Sequence, residues 1–153
     1  MKDFIPYNEA LELKQLGFDE PCFGYYDEED IEQQVYEYAN CSDNVTGGIA
    51  CYHEDFLSVT NSQLDEYGAF SAKDDDGLEC YERWTAPTFS QAFRWFKQNH
   101  KLKFHIREDI WNEWCYVHIL MQDEYENVGA YSTYEEAELA CLKKLIELVK
   151  QKS

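Results

Sequence analysis

The sequence predicts an α+β fold, a small antiparallel sheet with helices packed on one face. Three observations predict it. Helix boundary signals occur near both ends of the 153-residue chain. Residues alternate around Phe104–Arg107 and Cys115–Met121, with Phe104, Ile106, Cys115, Val117, Ile119 and Met121 on one face, which is strand periodicity. Aromatic residues make up 16% of the chain, enough to fill a core and far more than a disordered acidic chain would hold.

The first element is a helix from about Tyr7 to Leu16. Pro6 suits the first helical position because it has no N–H to lose there. Ala10, Leu11, Leu13 and Leu16 follow at helical spacing. Gly17 sits where a left-handed cap belongs, with Phe18 placed to touch Leu13. A strand is expected at Cys22–Tyr26. Asp27-Glu28-Glu29-Asp30 reads as an exposed turn. Ile31–Tyr38 is ambiguous, since its β-branched and aromatic residues favour a strand and its Glu and Gln tolerate a helix.

Residues 40–78 form an irregular insertion in what reads as a single acidic domain spanning 1–153. Gly47-Gly48 and Asp74-Asp75-Asp76-Gly77 mark turns. Short strands fit Ile49–Tyr52 and Phe56–Val59. Asn61 or Ser62 is placed to cap one helical turn ending near Gly68. A strand at Glu79–Trp84 follows.

The C-terminal half predicts helix–strand–strand–strand–helix. Thr88 and Gln91 have capping-box spacing, with Ala92, Phe93, Trp95 and Phe96 supplying an apolar face as far as His100. Phe104 and Ile106 start the first strand. Residues 109–113 join it to Cys115–Met121 as a hairpin, and a short third strand fits Asn127–Tyr131. Thr133 and Glu136 form a second capping box. Glutamates open the last helix and lysines close it, which complements the helix dipole. Tyr134, Ala137, Cys141, Leu145 and Leu148 make one stripe. Ala140, Leu142, Ile146 and Val149 widen it.

This order of elements resembles that of double-stranded RNA-binding domains, and Gly129–Leu142 is similar to their sheet-to-helix junction. That family grips phosphates with lysines at the start of its last helix. Glu135, Glu136 and Glu138 stand there instead, so the resemblance implies topology and not RNA binding. A second resemblance is closer in sequence. Phe4-Ile5-Pro6-Tyr7, Leu16 to Cys22, Ala86 to Phe96 and Tyr134 to Glu138 are similar to small proteins of phages and mobile elements of gut bacteria, a group with no assigned activity. That resemblance implies an accessory gene of a mobile element, and such genes often encode proteins that bind host proteins.

Charge is the most informative global property. The net charge is −18. Residues 1–87 carry 21 acidic and 4 basic side chains, whereas residues 88–153 carry 10 and 9. The N-terminal half therefore repels phosphate backbones. Solubility alone accounts for such a charge, and a basic partner is the sharper account. No apolar run is long enough to cross a bilayer, and the first residues lack the apolar core of a secretory signal. A cytoplasmic monomer or small homo-oligomer is expected, with the six cysteines as free thiols rather than disulfides, buried save for one in the middle loop.

Chemical motifs are weak. No close cysteine pair of the Cys-x2-Cys kind marks a zinc site, and Cys51-Tyr52-His53 has no matching second pair. Placing Gly77 at the sixth position of a calcium loop puts Ala72 and Arg83 where oxygen ligands belong. Cys115 and His118 are three apart on a strand and so face opposite sides, while Cys41 and Cys51 lie among acids that disfavour a thiolate. No carboxylate pair is singled out by spacing, and no Gly-rich phosphate loop is present. No cofactor or metal is expected.

The expectation is a non-enzymatic protein-interaction module of a phage or mobile element. It binds a basic host or element protein through an acidic, tyrosine-rich surface: Tyr25, Tyr26, Asp27, Glu28, Glu29, Asp30, Tyr36 and Tyr38. Tyrosine offers apolar area with a polar tip, which suits interfaces. DNA-charge mimicry is a special case. The alternatives are a small enzyme with a pocket in 40–80 around His53, and anion or nucleic-acid binding through a basic stripe. That stripe is Arg94, Lys97, Lys101, Lys103 and Arg107, with Trp95 and Phe96 beside it.

Overall fold

In the computed structural model, residues 3–28, 32–37, 58–65 and 82–152 are described. The chain forms two compact units, residues 1–88 and 89–153. The expected strand at 49–52, most of the 40–78 insertion, Cys41, Cys51, His53, Cys80 and the Asp74–Gly77 turn lie outside the described residues, as does the first half of the strand expected at 56–59, of which the described end makes only an isolated bridge at Val59.

In the N-terminal unit, helix α1 spans Tyr7–Gln15. Pro6 stands one position earlier than expected. It is the N-cap, with extended backbone, and its carbonyl accepts from the Ala10 N–H at 2.9 Å. The C-terminus closes as the sequence predicts. Gly17 has φ +92°, its N–H donates to the Lys14 carbonyl, and the Phe18 N–H returns to the Leu13 carbonyl at 3.0 Å. These are the two bonds of a Schellman motif. An L side chain at φ +92° is strained whatever space surrounds it. Gly17→Ala is therefore expected to lower unfolding stability by about 1–2 kcal/mol in a urea titration.

Three short strands follow: β1 (Gly24–Asp27), β2 (Tyr36–Glu37) and β3 (Arg83–Ala86). They pair antiparallel in the order β2-β1-β3. The first strand starts two residues later than expected, because Cys22 makes an isolated bridge to Val59 instead. Of the strand expected at 79–84, residues 79–81 are not described, and pairing with β1 runs to Ala86. Helix α1 packs on β3. Ile5, Leu13, Phe18 and Trp84 are fully buried. The Tyr7 ring meets Tyr26 and Trp84 edge-on, at 5.3 and 4.7 Å between centroids.

A helical turn at 61–65 completes this unit. Its cap is Thr60, not Asn61 or Ser62. The Thr60 hydroxyl accepts from the Gln63 N–H, and the Gln63 side chain accepts from the Thr60 N–H, a reciprocal capping box. Asn61 turns inward. Buried to 4% exposure, it donates to the Phe18 carbonyl at 2.7 Å and accepts from the Thr85 N–H at 2.8 Å. It thereby ties the end of α1 to the strand β3. Ser62 binds the Asp19 carboxylate through both its N–H and its hydroxyl.

The C-terminal unit has the predicted order: α2 (Phe89–Asn99), β4 (Phe104–Glu108), β5 (Cys115–Met121), β6 (Glu124–Tyr131) and α3 (Tyr134–Lys152). Its sheet is antiparallel in the order β4-β5-β6. Helix α3 lies on all three strands and on α2. Phe104, Cys115, Val117 and Ile119 fill the covered face of the sheet, against Ala137, Cys141, Leu142, Leu145 and Ile146. Tyr134 is the exception to the predicted stripe, since it is exposed in the first turn. Strand β6 is longer than expected. Gln122 and Asp123 both have positive φ, 47° and 77°, and make a tight two-residue turn that starts the strand at Glu124. Among the described residues, no helix is long and apolar enough to cross a membrane.

Candidate functional site

Among the described residues, the acidic, tyrosine-rich stretch is not uniformly exposed. Tyr26 is a core residue at 4% exposure, and its hydroxyl donates to the Ile5 carbonyl at 2.7 Å. Burial, with the nearby Glu9 charge, pushes its pKa up to about 12. Strand alternation explains this: Gly24 and Tyr26 face inward, Tyr25 and Asp27 are half-buried. Tyr25 packs against the Val59–Leu64 cluster, and the Arg83 guanidinium lies over its ring at 5.8 Å. Asp27 accepts from Arg83 Nε at 2.9 Å. Glu28 is exposed, and its carboxylate accepts from the Glu82 N–H. Tyr36 pairs with Tyr25 across the strands. Glu29, Asp30 and Tyr38 lie outside the described residues. Further acids in this unit are likewise committed: Lys14 donates to Asp65 and Glu82 at 2.6 and 3.0 Å. Burial alone would lower the Lys14 pKa, but these two carboxylates offset it and leave the pKa raised.

The basic stripe is split by the pleat. Arg94 and Lys97 project from α2, and Lys97 Nζ sits 4.8 Å over the Phe104 ring on the covered side of the sheet. Lys101 follows the helix in a left-handed conformation, φ 56°. Lys103 and Arg107 are on the opposite, open face. Trp95 and Phe96 are buried and so offer no stacking surface to a base.

Nucleophilic chemistry finds no support among the described cysteines. Burial pushes the Cys22 and Cys141 thiols up to about 12. Burial and the carboxylates of Glu108 and Glu135 raise Cys115 as well. A thiol so shifted stays protonated near neutral pH and attacks poorly. Cys115 is buried, whereas His118 lies on the other side of the strand, as alternation requires. Among the described residues, no group of three or more His, Cys, Asp or Glu side chains is arranged to hold a metal.

The feature that stands apart is the connection between β4 and β5. Ile110 is 84% exposed and Trp111 89%, with Trp114 also exposed beside them. Leaving two large apolar side chains in water forgoes about 1.5–3 kcal/mol of burial each, a cost that a contact surface recovers on binding. The tip is also rigidly built. The Asp109 N–H donates to the Trp114 carbonyl at 2.8 Å, and the Glu113 N–H to the Asp109 carbonyl at 3.0 Å. The Asp109 carboxylate accepts from the Trp111 N–H, and the Asn112 side-chain Oδ1 from the Trp114 N–H. Asn112 Nδ2 reaches the Tyr116 hydroxyl at 3.2 Å. These side chains supply the bonds that water would otherwise supply, so the tip presents its apolar groups in a fixed frame. Glu108, Asp109 and Glu113 give its rim a negative charge.

Sequence reasoning assigned 109–113 to a hairpin connection and did not single out its side chains. The signal was present. Ile-Trp-Asn-Glu-Trp places three large apolar residues where a turn calls for polar ones. Comparison with protein-family models, with curated proteins and with solved structures gave no match.

Proposed function

We propose that the chain is a non-enzymatic protein-interaction module whose contact is made by the acidic, tryptophan-bearing tip between β4 and β5. The observation that carries this is the near-complete exposure of Ile110 and Trp111 on a hydrogen-bonded frame. Interfaces draw most of their energy from a few rigid aromatic anchors that enter pockets on the partner. Trp111 has the size and the exposure for that role, on a hydrogen-bonded backbone.

The partner's chemistry follows from charge. Carboxylates rim the tip, and the N-terminal unit adds 21 acidic against 4 basic side chains. A basic protein with an apolar pocket fits both. Of the described residues in the N-terminal stretch, Glu28 contributes charge rather than an anchor, while Asp27 is paired with Arg83 and Tyr25 is packed against Val59 and Leu64. If the carboxylates stand in for DNA phosphates, affinity falls steeply with salt, as it does for the phosphates themselves. A small binding protein also accords with the mobile-element setting that the sequence resemblance implies.

The test is affinity capture with the wild-type chain and with Trp111→Ala, at low and moderate salt. The reading predicts a stoichiometric basic protein held by the wild type and lost with the variant. Equal capture by both chains would move the contact elsewhere.

A further inference from the structure

The open face of the C-terminal sheet has a charge and a chemistry unlike the rest of the chain. Strand alternation and the pairing register place Lys103, His105 and Arg107 there from the first strand and its approach. Tyr116 and His118 join them from β5, and Tyr125 and Asn127 from β6. None of the open-face positions is a carboxylate. Lys103 and Arg107 form no ion pair among the described residues, in contrast to Lys14 and Arg83. The rings form a continuous surface: His105 stacks on His118 at 4.9 Å, and Tyr125 meets His105 at 5.0 Å. Tyr125 is 51% exposed.

One bulge creates this arrangement. Val117 pairs with Gly129 and His118 with Asn127, so Val128 is an extra residue in β6. An extra residue swaps the faces of everything beyond it. With the bulge, Tyr125 and Asn127 lie on the open face and Glu124 and Glu126 on the other. Without it, the two glutamates would stand beside the histidines. The electrostatics of His118 agree. Burial lowers its pKa, and His105 and Arg107 lower it further, with no carboxylate acting in the other direction. Its Nδ1 is buried without a hydrogen-bond partner.

We infer that this face binds short single-stranded nucleic acid, with Tyr125 and the His105–His118 stack as platforms for bases and Lys103 and Arg107 as phosphate contacts. Exposed rings flanked by cations on an open surface are what such ligands use, since every base has a π-face. An acidic peptide matches the charge but leaves the rings without a role. The chain's net charge of −18 opposes a polyanion at long range. At physiological ionic strength that field is screened beyond about 8 Å, so the local face decides and a short ligand is favoured over a long one. The site also responds to pH. A bound phosphate favours charged imidazoles, so affinity rises as pH falls through the histidine range. The groups facing His118 are Lys103, His105 and Arg107 from the β4 side, Tyr116 on its own strand, and Tyr125 and Asn127 from β6.

The experiment is fluorescence anisotropy on the full chain, with a labelled single strand of about eight thymidines. The expected Kd is about 10–100 µM at physiological ionic strength near pH 6. Near pH 8 binding should be measurably weaker, because a neutral imidazole gives a bound phosphate less. Tyr125→Ala and Arg107→Glu should each weaken it about tenfold. Arg94→Glu, on the helix side, should leave it unchanged. Trp111→Ala should also leave it unchanged, which separates this face from the tip. No saturable binding near pH 6 would overturn the inference. So would equal binding by Tyr125→Ala, or displacement of the strand by poly-glutamate of matching charge, which would make the face a site for acidic protein instead.

Discussion

Asn61→Ala is expected to destabilise the N-terminal unit by about 3 kcal/mol. The side chain satisfies two backbone groups at once, the Phe18 carbonyl and the Thr85 N–H, and all three residues are buried. Truncation removes both partners. Each buried polar group left unsatisfied costs about 1–3 kcal/mol. Asn61→Asp tests the same arrangement differently. A carboxylate still accepts from Thr85 but faces the Phe18 carbonyl with a second acceptor, so it also destabilises. Urea unfolding followed by amide hydrogen exchange measures both changes and locates them. Protection should fall around Phe18 and Thr85 and persist in α3. A loss below about 0.5 kcal/mol would mean that the clamp is dispensable, as an ordinary surface position is.

Trp111→Ala is expected to act on binding and not on folding. The side chain packs against little of its own chain, so stability should change by no more than about 0.5 kcal/mol. Affinity for the captured partner should fall by at least about 2 kcal/mol, roughly thirtyfold, as loss of a central aromatic anchor does. Trp111→Phe should recover part of it, because a ring that enters an apolar pocket matters more than the indole N–H. Asn112→Ala offers a complementary test. It leaves the apolar groups in place but removes the bonds to Trp114 and Tyr116 that hold the frame. A smaller loss is expected there, arising from ordering the tip on binding.

The fold was largely legible, and the reasons are local. Leu13, Gly17 and Phe18 encode a helix stop that any context would obey. Thr133 and Glu136 encode a start: the Glu136 N–H donates to the Thr133 hydroxyl, although the Glu136 carboxylate turns to Ser132. Alternation over Cys115–Met121 depends only on which face is buried. What escaped depends on partners distant in sequence. Asn61 reads as a cap until Phe18 and Thr85 claim its side chain. Gln122-Asp123 lacks the Asn-Gly signature of a two-residue turn, so the length of β6 was hidden. The bulge at Val128 is set by pairing and leaves no mark in a single strand. Beside it, a Cβ at Gly129 would meet the Tyr131 hydroxyl at 2.6 Å, so a larger residue there requires that ring to move.

The site was less legible for the same reason. Tyr26 and Asp27 look alike as members of an acidic, aromatic run, yet the pleat buries one and pairs the other with Arg83. Lys97 and Lys103 look like one stripe, yet the sheet separates them onto two faces. Exposure is a property of the assembled unit. Composition counts charges without saying which remain available.

The central claim is tested most directly by site-specific photo-crosslinking. A photoreactive amino acid is placed at the exposed Glu113, which bonds within the tip through its backbone N–H, and, as a control, at the exposed Gln98 on α2. The account predicts one basic protein crosslinked at about equal stoichiometry from position 113 and absent from position 98. Crosslinks only to a second copy of the chain, the same set of proteins from both positions, or none from either would contradict it.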